Sequence, residues 1–181
     1  MRILAIDQAR NGAWSIFDYE KKELVEYGTF SFGAKEYTYA RAVLKIEELV
    51  DSIIREKDIS AVFIEDIQLR FNVASFKRLA QLQGVLVNLF EKNKYLYDFV
   101  APAQWQSYCN ARGRKSSEIK ENVKTLEAGG KKKSKVLSIE MVKELYGIET
   151  TNDNLADSIL IGHYVVNKIK LGSAEHNPKE K

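Results

Sequence analysis

The 181 residues are 45% hydrophobic and 29% charged, a mix that supports one ordinary globular domain and excludes disorder as the main state. The single Cys109 and the two histidines, His163 and His176, exclude an internal disulfide, a multi-cysteine zinc site and a histidine-rich metal site. Net charge is only +3, and no apolar run approaches the roughly 18 residues that cross a membrane.

RILAID at 2–7 is an apolar run ending in an acid, which predicts a buried strand. A turn signal, QARNG, leads to a second strand, AWSIFD at 13–18. LVEYGTFSF at 24–32 alternates and predicts a third. Residues 36–57 carry apolar residues at helical spacing through Tyr39, Val43, Ile46, Leu49, Val50 and Ile53. AVFIED at 61–66 predicts a fourth strand, again ending in acids. A long helix follows at 73–93, with Leu79, Leu82, Val85, Leu86 and Leu89 as its stripe. YLYDFVAP at 95–102 predicts a fifth strand and AQWQSYC a short helix; 134–146 and 153–169 predict two more helices. The order βββ-α-β-α-β-α-α implies an α/β fold of ribonuclease H-like type: a five-stranded mixed sheet, three antiparallel strands and then parallel ones, flanked by helices. Nucleases, transposases and actin-like ATPases share that order, so it does not select a function. No glycine-rich phosphate loop follows Asp7, which argues against the ATPases.

Charge is unevenly placed. Residues 110–135 hold nine Lys or Arg against three Glu, about +6, which leaves the rest of the chain near −3. A basic segment on a slightly acidic body is the electrostatic footprint of a nucleic-acid binder. Its plain alternative is a solvated surface loop. The organisation expected is one domain over 1–170 with a basic insertion at about 110–135, and a polar tail at 171–181. The opening MRILAID carries no secretory pattern, so the expected location is the cytoplasm.

The acids carry the chemistry. Asp7 ends the first strand and Glu65 the fourth; Asp153 and Asp157 sit four residues apart, on one face of the last helix's first turn. If strands 1 and 4 are neighbours, Asp7 and Glu65 emerge at one sheet edge, and a helix start packed there completes a carboxylate cluster. Clustered carboxylates repel unless a divalent cation neutralises them, and hard oxygen donors favour Mg²⁺ or Mn²⁺. Two such ions about 4 Å apart would serve phosphodiester hydrolysis. Taken singly, each acid has an ordinary reading: a turn acid at Asp7, exposed strand-end acids at Glu65 and Asp66, an N-cap at Asp153, a dipole-favouring acid at Asp157. Three corresponding ends of one sheet edge are harder to attribute to chance.

ILAIDQARNGAWSIFD resembles the opening of RuvC-type Holliday-junction resolvases, a strand with its metal-binding Asp followed by a turn and a second strand. VFIED resembles their strand-end Glu motif, and LAQLQGVLVNLF the helix that follows, with Gly84 nineteen residues after Glu65. KSKVLSIEMVKELYG is similar to a later helix with DNA-contacting lysines, and TTNDNLADSILIGHYVV to the final acidic helix. The resemblance spans most of 1–169 and implies a metal-dependent endonuclease for four-way and other branched DNA, acting as a homodimer, with no membrane and no small-molecule substrate involved. It implies Asp7, Glu65 and Asp157 as catalytic metal ligands. At the fourth position the family usually has Asp or His three residues before the last Asp, where this chain has Asn154. Either Asp153 has taken over or Asn154 serves as a neutral ligand; charge neutralisation favours Asp153. A long Cys109–Gly130 stretch and this substitution suit a phage or otherwise divergent member.

The expected DNA contacts are Arg112, Arg114, Lys115, Lys131, Lys132, Lys133 and Lys135 on phosphates, with Phe71 as a wedge at the strand-exchange point. For Trp105 and Tyr108, amphipathic burial is the safer reading than base stacking. His163 and Cys109 read as structural. Helix 73–93 is either a dimer element or plain core. Two other functions stay open: a ribonuclease H-like nuclease acting on hybrids or flaps, and a non-catalytic branched-DNA-binding protein.

Overall fold

The computed structural model describes residues 1–68, 72–112 and 133–171. Five strands form one sheet: β1 Arg2–Asp7, β2 Asn11–Asp18, β3 Glu23–Ser31, β4 Ile59–Glu65 and β5 Leu96–Val100. The order is β3-β2-β1-β4-β5. β1 pairs antiparallel with β2, and β2 with β3; β4 pairs parallel with β1 and with β5. The mixed ribonuclease H-like sheet expected from the element order is the sheet observed.

Side chains alternate across the central strands, so β1 and β4 feed two cores. Leu4, Ile6, Val62 and Ile64 face one layer, made by α1 (Tyr39–Glu56) and α2 (Val73–Asn93). Ile3, Ala5, Ala61 and Phe63 face the other, made by α3 (Pro102–Tyr108), α4 (Lys133–Tyr146) and α5 (Asp153–Lys168). Burial on both faces explains why β1 and β4 read as continuous apolar runs. Each fully buried Leu, Ile or Phe here contributes about 1.5–3 kcal/mol.

Element ends follow local chemistry. α1 starts at Tyr39 instead of residue 36 because Thr38 accepts a hydrogen bond from Arg41 N and acts as its N-cap. Asn72 does the same for α2, and the helix stops at Lys94, whose backbone is left-handed. Pro102, with no N–H to leave unpaired, opens α3 two residues after β5 ends. The Arg10 side chain donates to the carbonyls of Phe32, Gly33 and Tyr37, which fixes the passage from β3 into α1. Among the described residues, no helix is long and apolar enough to cross a membrane.

Candidate active site

β1 and β4 run in register through Leu4 and Val62 to Ile6 and Ile64. The next residues, Asp7 and Glu65, therefore stand at neighbouring carboxyl ends of two parallel strands. This is where open α/β sheets bind their ligands. Strand alternation puts Asp7 on the face of Ile3 and Ala5, and Glu65 on the face of Ala61 and Phe63. Both acids thus lie on the side covered by α3, α4 and α5. Asp7 is 8% exposed, and Glu65 is half-buried.

The last helix reaches the same edge because it lies along β2. Asn154 Nδ2 donates to Asn11 O at 2.7 Å, and Ser15 Oγ donates to Ser158 O at 2.8 Å. Further along, Gly162 sits so close to β2 that a Cβ there would meet the Phe17 ring at 2.4 Å. The three contacts run in the same direction along both elements, 154 with 11, 158 with 15, 162 with 17. Because β2 leaves the end of β1 where Asp7 pairs with Ala13, the helix start lies at the Asp7 end of the sheet. The helix is capped by Asn152, whose side chain accepts from Asn154 N and Leu155 N. Asp153 is therefore not the N-cap. It shares a helix face with Asp157, and the oxygens Asp153 Oδ2 and Asp157 Oδ1 are buried.

Two residues that sequence reasoning did not assign to the site hold Glu65. The Trp105 indole N–H donates to Glu65 Oε1 at 2.9 Å. Gln8 Nε2 donates to Glu65 O at 2.9 Å and to Gln83 Oε1 at 3.2 Å, joining the end of β4 to α2. The available signal was general: a buried tryptophan needs an acceptor for its N–H. Which acceptor it finds depends on β4 and β5 being paired, with Asp66 N donating to Val100 O at 2.9 Å.

The expected cluster is only partly assembled. Among the described residues, no group of three or more Asp, Glu, His or Cys could hold a metal ion as they stand. Like-charged carboxylates sharing an edge repel one another, which opposes close approach in the protein alone. The donor set still fits a hard divalent cation in kind: four carboxylates, no sulfur, no imidazole, with two of the oxygens shielded from water.

The nucleic-acid residues are less fully placed. Arg112 is exposed just past α3. Lys133 and Lys135 fall in the first turn of α4. Phe71, Arg114, Lys115, Lys131 and Lys132 lie outside the described residues, as does the polar tail from residue 172. Trp105 is fully buried and Tyr108 half-buried, as the burial reading expected. His163 stacks on Tyr108 and hydrogen-bonds Tyr146 Oη through Nδ1 at 2.6 Å. Cys109 is buried, and desolvation pushes its thiol up to about 12, far from nucleophilic use.

No family model matches the chain. It is 32% identical over 122 residues to the crossover junction endodeoxyribonuclease RuvC of Sulfurovum sp., covering 65% of this chain and 75% of that protein. It is 28% identical over 179 residues to the protein of the same name in Wolinella succinogenes, covering 95% and 98% of the two chains. Among solved structures, T. thermophilus RuvC in complex with a Holliday junction substrate has the same fold, with a TM-score of 0.65, 13% identity and 91% of each chain covered.

Proposed function

The chain belongs to the RuvC family of crossover junction endodeoxyribonucleases, and on that premise we propose that Asp7, Glu65, Asp153 and Asp157 form its active site for cutting four-way DNA junctions. It is a metal-dependent, structure-selective endodeoxyribonuclease acting on branched DNA. The observation that supports this site is the shared edge: two adjacent strand ends and one helix start, brought together by β1–β4 pairing and the Asn154–Asn11 hydrogen bond.

Asp7, Glu65, Asp153 and Asp157 would hold Mg²⁺ or Mn²⁺, in our reading two ions, with Asp7 as the central ligand. Bound there, the ions supply water activation and charge neutralisation at the scissile phosphate and leaving oxygen. The protein's own contribution is placement. Asp7 is anchored by its pairing with Ala13 of β2 at the end of the central strand. Glu65 is held by Trp105 and, through its carbonyl, by Gln8. Asp153 is the better fourth ligand, because neutralising two divalent cations takes a negative charge that Asn154 lacks. Hydrolysis would leave a 5′-phosphate and a 3′-hydroxyl.

Arg112, Arg114, Lys115, Lys131, Lys132, Lys133 and Lys135 would grip phosphates of the arms, and Phe71 would wedge at the crossover point. One nuclease domain over 1–170, with its basic insertion, carries one active site, so paired symmetric cuts require a homodimer.

The test is cleavage of a labelled mobile four-way junction, with and without Mg²⁺, beside flap, hybrid and single-stranded substrates. Mg²⁺-dependent paired nicks in the junction, lost in Glu65→Gln, are the expected result. Robust cleavage of the hybrid alone would overturn junction resolution.

A further inference from the structure

We infer that Trp105 is a positioning residue for Glu65, setting the orientation of that carboxylate toward a divalent cation; the inference rests on Glu65 being a metal ligand, as proposed above. Trp105 is 0% exposed and is among the largest fully buried side chains of the protein. It packs in the core with Val100, Cys109, Ala111 and Val142. Its single polar atom donates only, and it meets Glu65 Oε1 at 2.9 Å. Burial of the ring without that acceptor would strand the N–H, so the indole and the carboxylate hold each other.

The helix that carries the indole is itself fixed. Ala101 N donates to Gln104 Oε1 at 3.2 Å across the first turn of α3, and Cys109 N donates to Trp105 O at 2.9 Å. β5, which leads into α3, is zipped to β4 up to the Glu65–Val100 pair. Glu65 is thus restrained twice, its carbonyl by Gln8 and its Oε1 by Trp105. The Trp105 N–H on Oε1 thus fixes the rotation of the Glu65 carboxylate about its stem. Partners of this kind, which orient a ligating carboxylate, change metal affinity about 10- to 100-fold when removed.

The probe is Mn²⁺ alone, without DNA. Trp105→Phe keeps the aromatic bulk and deletes the N–H. Calorimetric titration should show Mn²⁺ affinity weakened about 10- to 100-fold, and raising Mn²⁺ should restore cleavage in part. Val142→Ala, a packing change in the same core, should lower thermal stability and leave Mn²⁺ affinity within about twofold, below the effect of losing an orienting partner. Equal losses in both variants, or unchanged affinity in Trp105→Phe, would overturn the inference. Since the chain has two tryptophans, Trp14→Phe leaves Trp105 as the sole tryptophan, and its emission, excited where tyrosine does not absorb, should respond saturably to Mn²⁺. No response would also overturn it, even if Trp105→Phe fails to fold. Glu65→Gln separates the two levels: if it leaves Mn²⁺ affinity unchanged, the site assignment falls; if it weakens binding while Trp105→Phe does not, only the positioning role falls.

Discussion

Asn154 Nδ2 donates to the carbonyl oxygen of Asn11 at 2.7 Å, joining the first turn of α5 to the first residue of β2. The two residues are far apart in sequence, and their bond places Asp153 and Asp157 at the edge where Asp7 stands. It also gives Asn154 a structural task at the position where the family usually carries an acid or His. Replacing Asn154 with Ala should cost about 0.5–1.5 kcal/mol, the net worth of one hydrogen bond, and reduce cleavage only in part. Asp153→Asn should leave thermal stability near wild type and remove most cleavage. Junction-cleavage rates and melting curves of both variants check this; if only Asn154→Ala is inactive, the fourth acid is misassigned.

Asp7→Asn and Glu65→Gln should each lower cleavage by more than about 100-fold, beyond what loss of an outer hydrogen bond costs. Junction binding, measured by mobility shift, should persist. Full activity in either variant would remove it from the site.

Gly162→Ala tests the seating of α5. The added Cβ would meet the Phe17 ring at 2.4 Å, in a packed core where overfilling costs about 1–3 kcal/mol. The helix-propensity gain of Ala over Gly, about 1 kcal/mol, offsets part of that. The melting temperature should fall by a few degrees, at roughly 2–4 °C per kcal/mol for a chain of this size. Cleavage should fall with it, because the helix start carries Asp153 and Asp157.

His163 gives the fold a pH dependence of known sign. Burial lowers its pKa below the usual value, and its neighbours are Tyr108, Tyr146 and Tyr108's cation partner Lys168. Burial raises the Tyr146 hydroxyl, which therefore stays protonated beside the imidazole it hydrogen-bonds. With the folded pKa below the unfolded one, the unfolded chain binds the proton more readily. The stability contribution is full above the unfolded value, near pH 6.5, and is lost as pH falls through the folded value. Urea midpoints at pH 7.5 and 5.5 should show a drop that shrinks in His163→Phe. An undiminished drop in that variant would assign the effect to other groups.

The basic residues should appear in the salt dependence of binding. If Arg112, Arg114, Lys115 and the lysines at 131–133 and 135 neutralise about five phosphates, log affinity should fall with log salt at a slope near −4 to −5. Changing the four lysines to Ala should flatten the slope by about 3–4. An unchanged slope would make this segment a bystander.

Much of this molecule was legible in its sequence for a local reason. β1 and β4 are buried on both faces, so their apolar runs are unbroken and their terminal acids stand out. α2 was bounded at Val73–Asn93 by its stripe, and the order of elements left few ways to arrange the sheet. The strand-end acids and the helix pair Asp153 and Asp157 were found by spacing alone. What only the tertiary structure decided is how those acids are held. Trp105 on Glu65, Gln8 between Glu65 and Gln83, Asn154 on Asn11 and Gly162 against Phe17 join positions separated by long stretches of chain. Periodicity reports which face a residue takes on its own element. It carries no information about which atom of another element that face will meet, because that depends on strand pairing and on how closely helix and sheet approach.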